Sequence, residues 1–174
     1  PMVSELAAKK DKLKLTSGIR LIHLYTFFFV IPALLSVIIF SEFFIRLLFG
    51  ENYVAGKLAM QILIFGVLFF SVATINNNIL NGLGKPQQVT KIVLLAAFVN
   101  LILNMFLIPL YGIEGAALTT MVSYLLVFIC SSYLVAKHSK SKLPWAEWFK
   151  LFLSGGCFFA VVILLKKLLV FNDW

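Results

Sequence analysis

Small polar side chains recur at helical spacing inside an otherwise apolar chain, and they are the residues with the most chemistry to offer. Ser71, Thr74, Asn78 and Asn81 follow one another at i, i+3, i+7 and i+10, which places them on one helix face, with Asn77 beside them and Asn76 pointing away. An amide carries donors and acceptors that hydrocarbon cannot satisfy. Such a face is expected either to wall a hydrated cavity that meets a polar substrate or to bond to a neighbouring helix. Asn100 and Asn104 stand one helical turn apart further on, with Ala96 on the same face. Neutral amides do not transfer protons. This pair can bind hydroxyls, coordinate a cation through an amide oxygen, or hold helices together. Gly115, Thr119 and Ser123 repeat every four residues, the small-residue spacing that lets two helices approach closely.

Other signals carry less. Gly82-Leu-Gly-Lys-Pro86 departs from a nucleotide loop, which needs G-x-x-x-x-G-K-[ST] after a strand, and reads as a tight turn whose glycines permit positive φ. Its Lys85 can attract an anionic lipid headgroup. His23 and His138 are too far apart to suggest a metal pair; His23 reads as an interfacial helix-end residue and His138 as a loop residue. Cys130 and Cys157 show neither metal nor disulfide spacing and read as small packing residues. Glu114 is the one acid in its turn and reads as exposed. No nucleophile–base pair or paired carboxylates stand at working spacing, so no enzyme, cofactor or metal site is expected.

The elements that hold these residues must lie in lipid. Hydrophobic residues make up 61% of the chain and charged residues 13%, and the mean hydropathy is +1.01. An ordinary soluble domain is about a quarter charged. At about 20 residues per span, the pattern predicts an all-α polytopic bundle of about five transmembrane helices. They are expected near 21–40, 58–80, 92–108, 116–136 and 149–165, after a basic cytoplasmic connector over 1–20. Pro32 is expected to kink the first, and 41–57 to form a junction whose front half is amphipathic and interfacial. Pro109, Gly112 and Gly115 end one helix and start the next, a membrane hairpin.

The formal net charge is +8, yet the basic residues sit in loops between spans, which speaks for orientation in a membrane and not for nucleic acid. Lys9, Lys10, Lys12, Lys14, Arg20, Lys85, Lys91, Lys137, Lys140, Lys142 and Lys150 fall on one side, leaving Arg46, Lys57, Lys166 and Lys167 on the other. The positive-inside rule then predicts a cytoplasmic N-terminal end. Lys166 and Lys167 fit least well and are expected to snorkel or to mark a misplaced span.

Taken together, Pro1-Met-Val-Ser-Glu-Leu6, Leu48-Phe-Gly50, Asn81-Gly-Leu-Gly-Lys-Pro86, Asn100 with Asn104, and the run from Pro109 to Ala117 resemble the C-terminal part of the polysaccharide-biosynthesis (O-antigen, Wzx-like) flippases. Those belong to the superfamily that also holds the lipid II flippases and the multidrug and toxin extruders. The resemblance implies a fragment of a two-lobed transporter in the cell membrane. It implies alternating access without ATP hydrolysis, membrane lipid and a polyprenyl-pyrophosphate-linked oligosaccharide as partners, and room for a coupling ion, proton or sodium. On it, Ser71, Thr74, Asn78, Asn81, Asn100 and Asn104 become candidates for the substrate path and Lys85 for the headgroup. Two alternatives stay open: a cation-coupled multidrug extruder, which should show an intramembrane acid although none occurs from 58 to 107, and a non-transporting assembly subunit. An integral-membrane glycosyltransferase lacks an acidic catalytic pair.

Overall fold

The computed structural model describes residues 12–140 and 145–170. Residues 1–11 of the expected connector, Lys142, and the side chains of Lys166 and Lys167 lie outside the described residues. In chain order come α1 (Lys12–Ile39), α2 (Ser41–Phe49), a 3₁₀ turn (Glu51–Gly56), α3 (Lys57–Gly82), α4 (Pro86–Ser139) and α5 (Trp145–Val170), with no strand among the described residues.

The stretch from Lys12 to Arg20, expected as a connector, is already the start of α1. Leu15 and Ile19 explain why: both are buried on the same stripe as Phe27 and Ile31, so the polar residues between them need only face outward. Pro32 sits inside α1 without ending it. α2 stops at Gly50, whose φ of 93° suits glycine alone. Around this junction Glu42 accepts from Arg46 at 2.8 Å and from Lys57 at 3.0 Å, while Arg46 also pairs with Glu51. The Arg46 guanidinium, and then the Lys57 ammonium, hold the Glu42 carboxyl below the usual carboxylate range.

α4 is 54 residues long, and Gly112 breaks its helical geometry with φ 57° and ψ −129°. Straight, it would measure about 80 Å, far more than the ~30 Å of hydrocarbon in a bilayer. The chain reverses at Gly112 instead. A Cβ on Gly115 would lie 2.2 Å from the Leu107 carbonyl oxygen, and the Thr119 hydroxyl reaches Asn104 back across the turn. Only glycine fits either position. α4 is therefore a helical hairpin of two limbs, 86–111 and 113–139.

Three helices among the described residues are long and apolar enough to cross a membrane: Leu13–Ile39, Glu51–Gly82 and Pro86–Ser139, the last folded back on itself. With α5 beside α1, the chain is an all-α polytopic membrane helix bundle. One end gathers the Arg20–Glu147 ion pair and the 2.9 Å contact of His138 with Gln88. The other gathers the Glu42 cluster and the approach of Gly56 to Ile113. The core lies among α1, α3, the second limb of α4 and Trp148 of α5. The first limb gives it Ile92 and Ala96, with Val89 partly buried against the core, and leaves Leu94, Phe98, Leu101 and Met105 exposed, a surface suited to lipid or further helices.

Candidate functional site

Two groups of polar side chains stand out where α3 meets the α4 hairpin. The first is closed. Asn76 is fully buried and donates from Nδ2 to Ser132 Oγ at 2.9 Å and Ser131 Oγ at 3.2 Å. Its Oδ1 lies 2.8 Å from His23 Nε2, and His23 Nδ1 lies 2.8 Å from the Ile19 carbonyl oxygen. Three helices thus meet at one amide, roofed by Trp148, whose ring centroid is 5.6 Å from that of His23.

The second group is open. A cleft of about 300 Å³ is walled by Asn77 of α3, Asn100 of the first limb, and Thr120 and Ser123 of the second, with Phe70 and Tyr124 at its apolar side. Asn77 Oδ1 is buried and has no hydrogen-bond partner. Deeper toward the turn, Asn104 donates to Asn100 Oδ1 at 2.9 Å and accepts from the Thr119 hydroxyl at 2.5 Å, so the two asparagines and Thr119 form one ladder. No lining side chain is charged. A site of uncharged amides and hydroxyls can exchange hydrogen bonds with a hydroxyl-bearing or amide-bearing ligand, and it holds no group to move a proton. Among the described residues no cluster of His, Cys, Asp or Glu could hold a metal.

The expected α3 face is divided. Ser71 and Thr74 turn their hydroxyls back to the Val67 and Phe70 carbonyls, both at 2.8 Å, and Asn78 and Asn81 are exposed. Asn77, placed beside that face, points into the cleft, while Asn76, placed away from it, is the buried hub. Lys85 is exposed at the head of α4, after a turn in which Gly84 has φ 72°. His23, expected at an interface, is fully buried. It sits on the stripe Leu15, Ile19, His23, Phe27, Ile31, all buried, and that four-residue period is the signal that could have located it. Ser131 and Ser132 carried no signal beyond their polarity. Thr119 and Ser123 of the small-residue stripe are buried as expected, against the first limb and α3.

A bundle of long apolar helices around a cleft of uncharged polar side chains is the architecture of a polytopic membrane protein. The whole chain, residues 1–174, matches the family model described as lipid II flippase MurJ, and it belongs to that family, whose members are transporters and not enzymes. It is 36% identical over 169 residues to an uncharacterised membrane protein of Methanocaldococcus jannaschii, covering 97% of this chain and 33% of that protein. It is 28% identical to the probable low-salt glycan biosynthesis flippase Agl15 of Haloferax volcanii, over 91% of this chain and 34% of the relative. Against the lipid II flippase MurJ of Bacillus subtilis the identity is 25%, over 64% of this chain and 21% of the relative. The chain spans about a third of the length of the first two relatives. No solved structure matches.

Proposed function

We propose that this chain supplies helices of the C-terminal lobe of a flippase that carries polyprenyl-pyrophosphate-linked oligosaccharide units across the cell membrane for polysaccharide biosynthesis. O-antigen-type repeat units are the narrower version of the same reading. Movement is by alternating access, with the N-terminal end of the chain in the cytoplasm and a coupling ion in place of ATP. The observation that carries the proposal is the Asn77 amide oxygen, buried without a partner in a cleft of uncharged polar groups. A buried acceptor left open costs about 1–3 kcal/mol, a cost that water or a saccharide hydroxyl removes. Relatives named for glycan biosynthesis and for lipid II support a lipid-linked saccharide. Exposed Asn78 and Asn81 extend the polar path toward the end where Lys85 can meet a pyrophosphate. An assembly subunit with no transport role would have little use for the open cleft.

The test uses the full-length protein in vesicles carrying a lipid-linked oligosaccharide on the inner leaflet, read by a membrane-impermeant glycan-cleaving enzyme added outside. Accelerated cleavage relative to protein-free vesicles is expected. Background rates with every lipid-linked saccharide tried would refute the reading.

A further inference from the structure

The buried hub has two self-consistent hydrogen-bonding states, and they differ by one proton. In the arrangement described, both ring nitrogens of His23 face oxygens that can only accept: the Ile19 carbonyl and Asn76 Oδ1, each at 2.8 Å. With the amide in this orientation both nitrogens donate, which is the hydrogen-bonding pattern of an imidazolium. A neutral ring has one nitrogen that accepts. That nitrogen cannot be Nδ1, because its lone pair would oppose the Ile19 carbonyl, so it is Nε2. Asn76 must then turn its amide about the Cβ–Cγ bond to offer Nδ2 to His23 and Oδ1 to Ser131 and Ser132. Both serine hydroxyls must donate to Oδ1, and Ser131 gives up the bond it makes to the Phe128 carbonyl at 3.2 Å. The serines belong to the second limb of α4, so the proton on α1 is read by the hairpin.

We infer that His23 is a proton-binding site and that the Asn76 amide reports its occupancy to the α4 hairpin. This rests on the flippase reading, for which it names the coupling ion. One proton adds to Nε2, the amide rotates through half a turn, and no covalent bond other than the new N–H forms or breaks. The surroundings leave the charge to the hub alone. Among the described residues no carboxylate pairs with His23. Along the elements packed on it, α1 carries Arg20, held by Glu147, and Lys14; α3 has no charged residue after Lys57; α4 carries Lys91 near its start, Glu114 at its turn, and Lys137 and His138 toward its end; α5 carries Glu147 and Lys150 near its start. Of the two carboxylates on these elements, Glu147 is committed to Arg20 and Glu114 stands at the hairpin turn, at the opposite end of the bundle. Trp148 supplies an aromatic face to the ring.

Trp148 also supplies the readout, because an imidazolium quenches an adjacent indole. Full-length protein in detergent is titrated between about pH 5 and 8, where histidines ordinarily change charge. The signal of interest is the emission of wild type minus that of Trp148→Phe. A step in that difference is expected, and it is expected to vanish in His23→Gln but to survive in His138→Gln. A flat wild-type difference, or a step that persists in His23→Gln, overturns the proposal. If His23→Gln does not fold, the difference between wild type and Trp148→Phe still decides, since a flat trace there is sufficient to reject. Flipping is measured separately in vesicles. A step without flipping would leave the proton site standing and remove the flippase reading; flipping without a step would do the reverse.

Discussion

Asn76 and Asn77 are neighbours in sequence and opposites in circumstance. The amide of Asn76 is fully buried and spent on His23, Ser131 and Ser132. That of Asn77 reaches a cleft with its oxygen unpaired. A rotation of about 100° around α3 separates a group that holds helices together from one with capacity left for a ligand. The difference shows that a polar residue in a membrane helix is not a ligand contact by virtue of being polar. What separates the two roles is whether its partners are already inside the protein.

The comparison can be broken most severely at the hairpin that shapes one wall of both sites. Gly115→Ala would drive a Cβ to 2.2 Å from the Leu107 carbonyl oxygen, a backbone atom that cannot swing aside. A loss of about 3 kcal/mol or more is expected, at or beyond the upper end of ordinary overpacking, seen as a lowered melting temperature of the purified full-length protein. Tolerance there would mean the turn is looser than described. Asn76→Ala comes next, at about 2–3 kcal/mol, because it strands His23 and the two serines without their shared partner. Thr119→Leu follows, at about 1–3 kcal/mol, from bulk forced into a fully buried position that also bonds Asn104. Leu126→Ile, only partly buried, is expected to be nearly silent beside it.

The smallest effect lies outside both sites, at Glu42. Its carboxyl is held low by Arg46 and Lys57. A depressed carboxylate contributes stability above its ordinary range and loses it as pH falls through the lowered value. Protection of α2 and the following turn against hydrogen exchange, taken relative to the intrinsic amide rate at each pH, should therefore fall on acidification below about pH 4, the ordinary carboxylate value. In Glu42→Gln that acid-dependent part should be absent. An unchanged acid response in the variant would assign it to other groups.

The hairpin was legible in the sequence because its determinants are local. Pro109, Gly112 and Gly115 dictate where a helix can turn and how closely its limbs approach, whatever lies around them. The rotation of α3 was not legible. A helical wheel gives the angle between Asn76 and Asn78 but not which of them faces inward, and in lipid the outward face is as apolar as the inward one, so no amphipathic contrast marks the core. His23 was misplaced for a related reason. Arg20 three residues earlier marks a membrane edge, which suggests exposure, whereas α5 returns to that edge and covers the ring with Trp148. Such long-range cover leaves no trace in local spacing. The Asn100–Asn104 pair was visible as a ladder, but its third rung, Thr119, is supplied by the returning limb and was legible only as a packing residue.

The central claim is that Asn77 serves the passage of a ligand and Asn76 the integrity of the bundle. It is tested most directly by Asn77→Ala in the full-length protein, measuring melting behaviour and the rate of lipid-linked oligosaccharide flipping per folded molecule on the same preparation. The account predicts a stability change within about 0.5 kcal/mol, since no protein partner loses a bond. It also predicts a fall in flipping of up to about tenfold, the equivalent of one hydrogen bond of roughly 1.4 kcal/mol withheld from the moving saccharide. A clear drop in melting temperature with unchanged flipping per folded molecule would contradict it, and would make Asn77 a residue that joins helices, as its neighbour does.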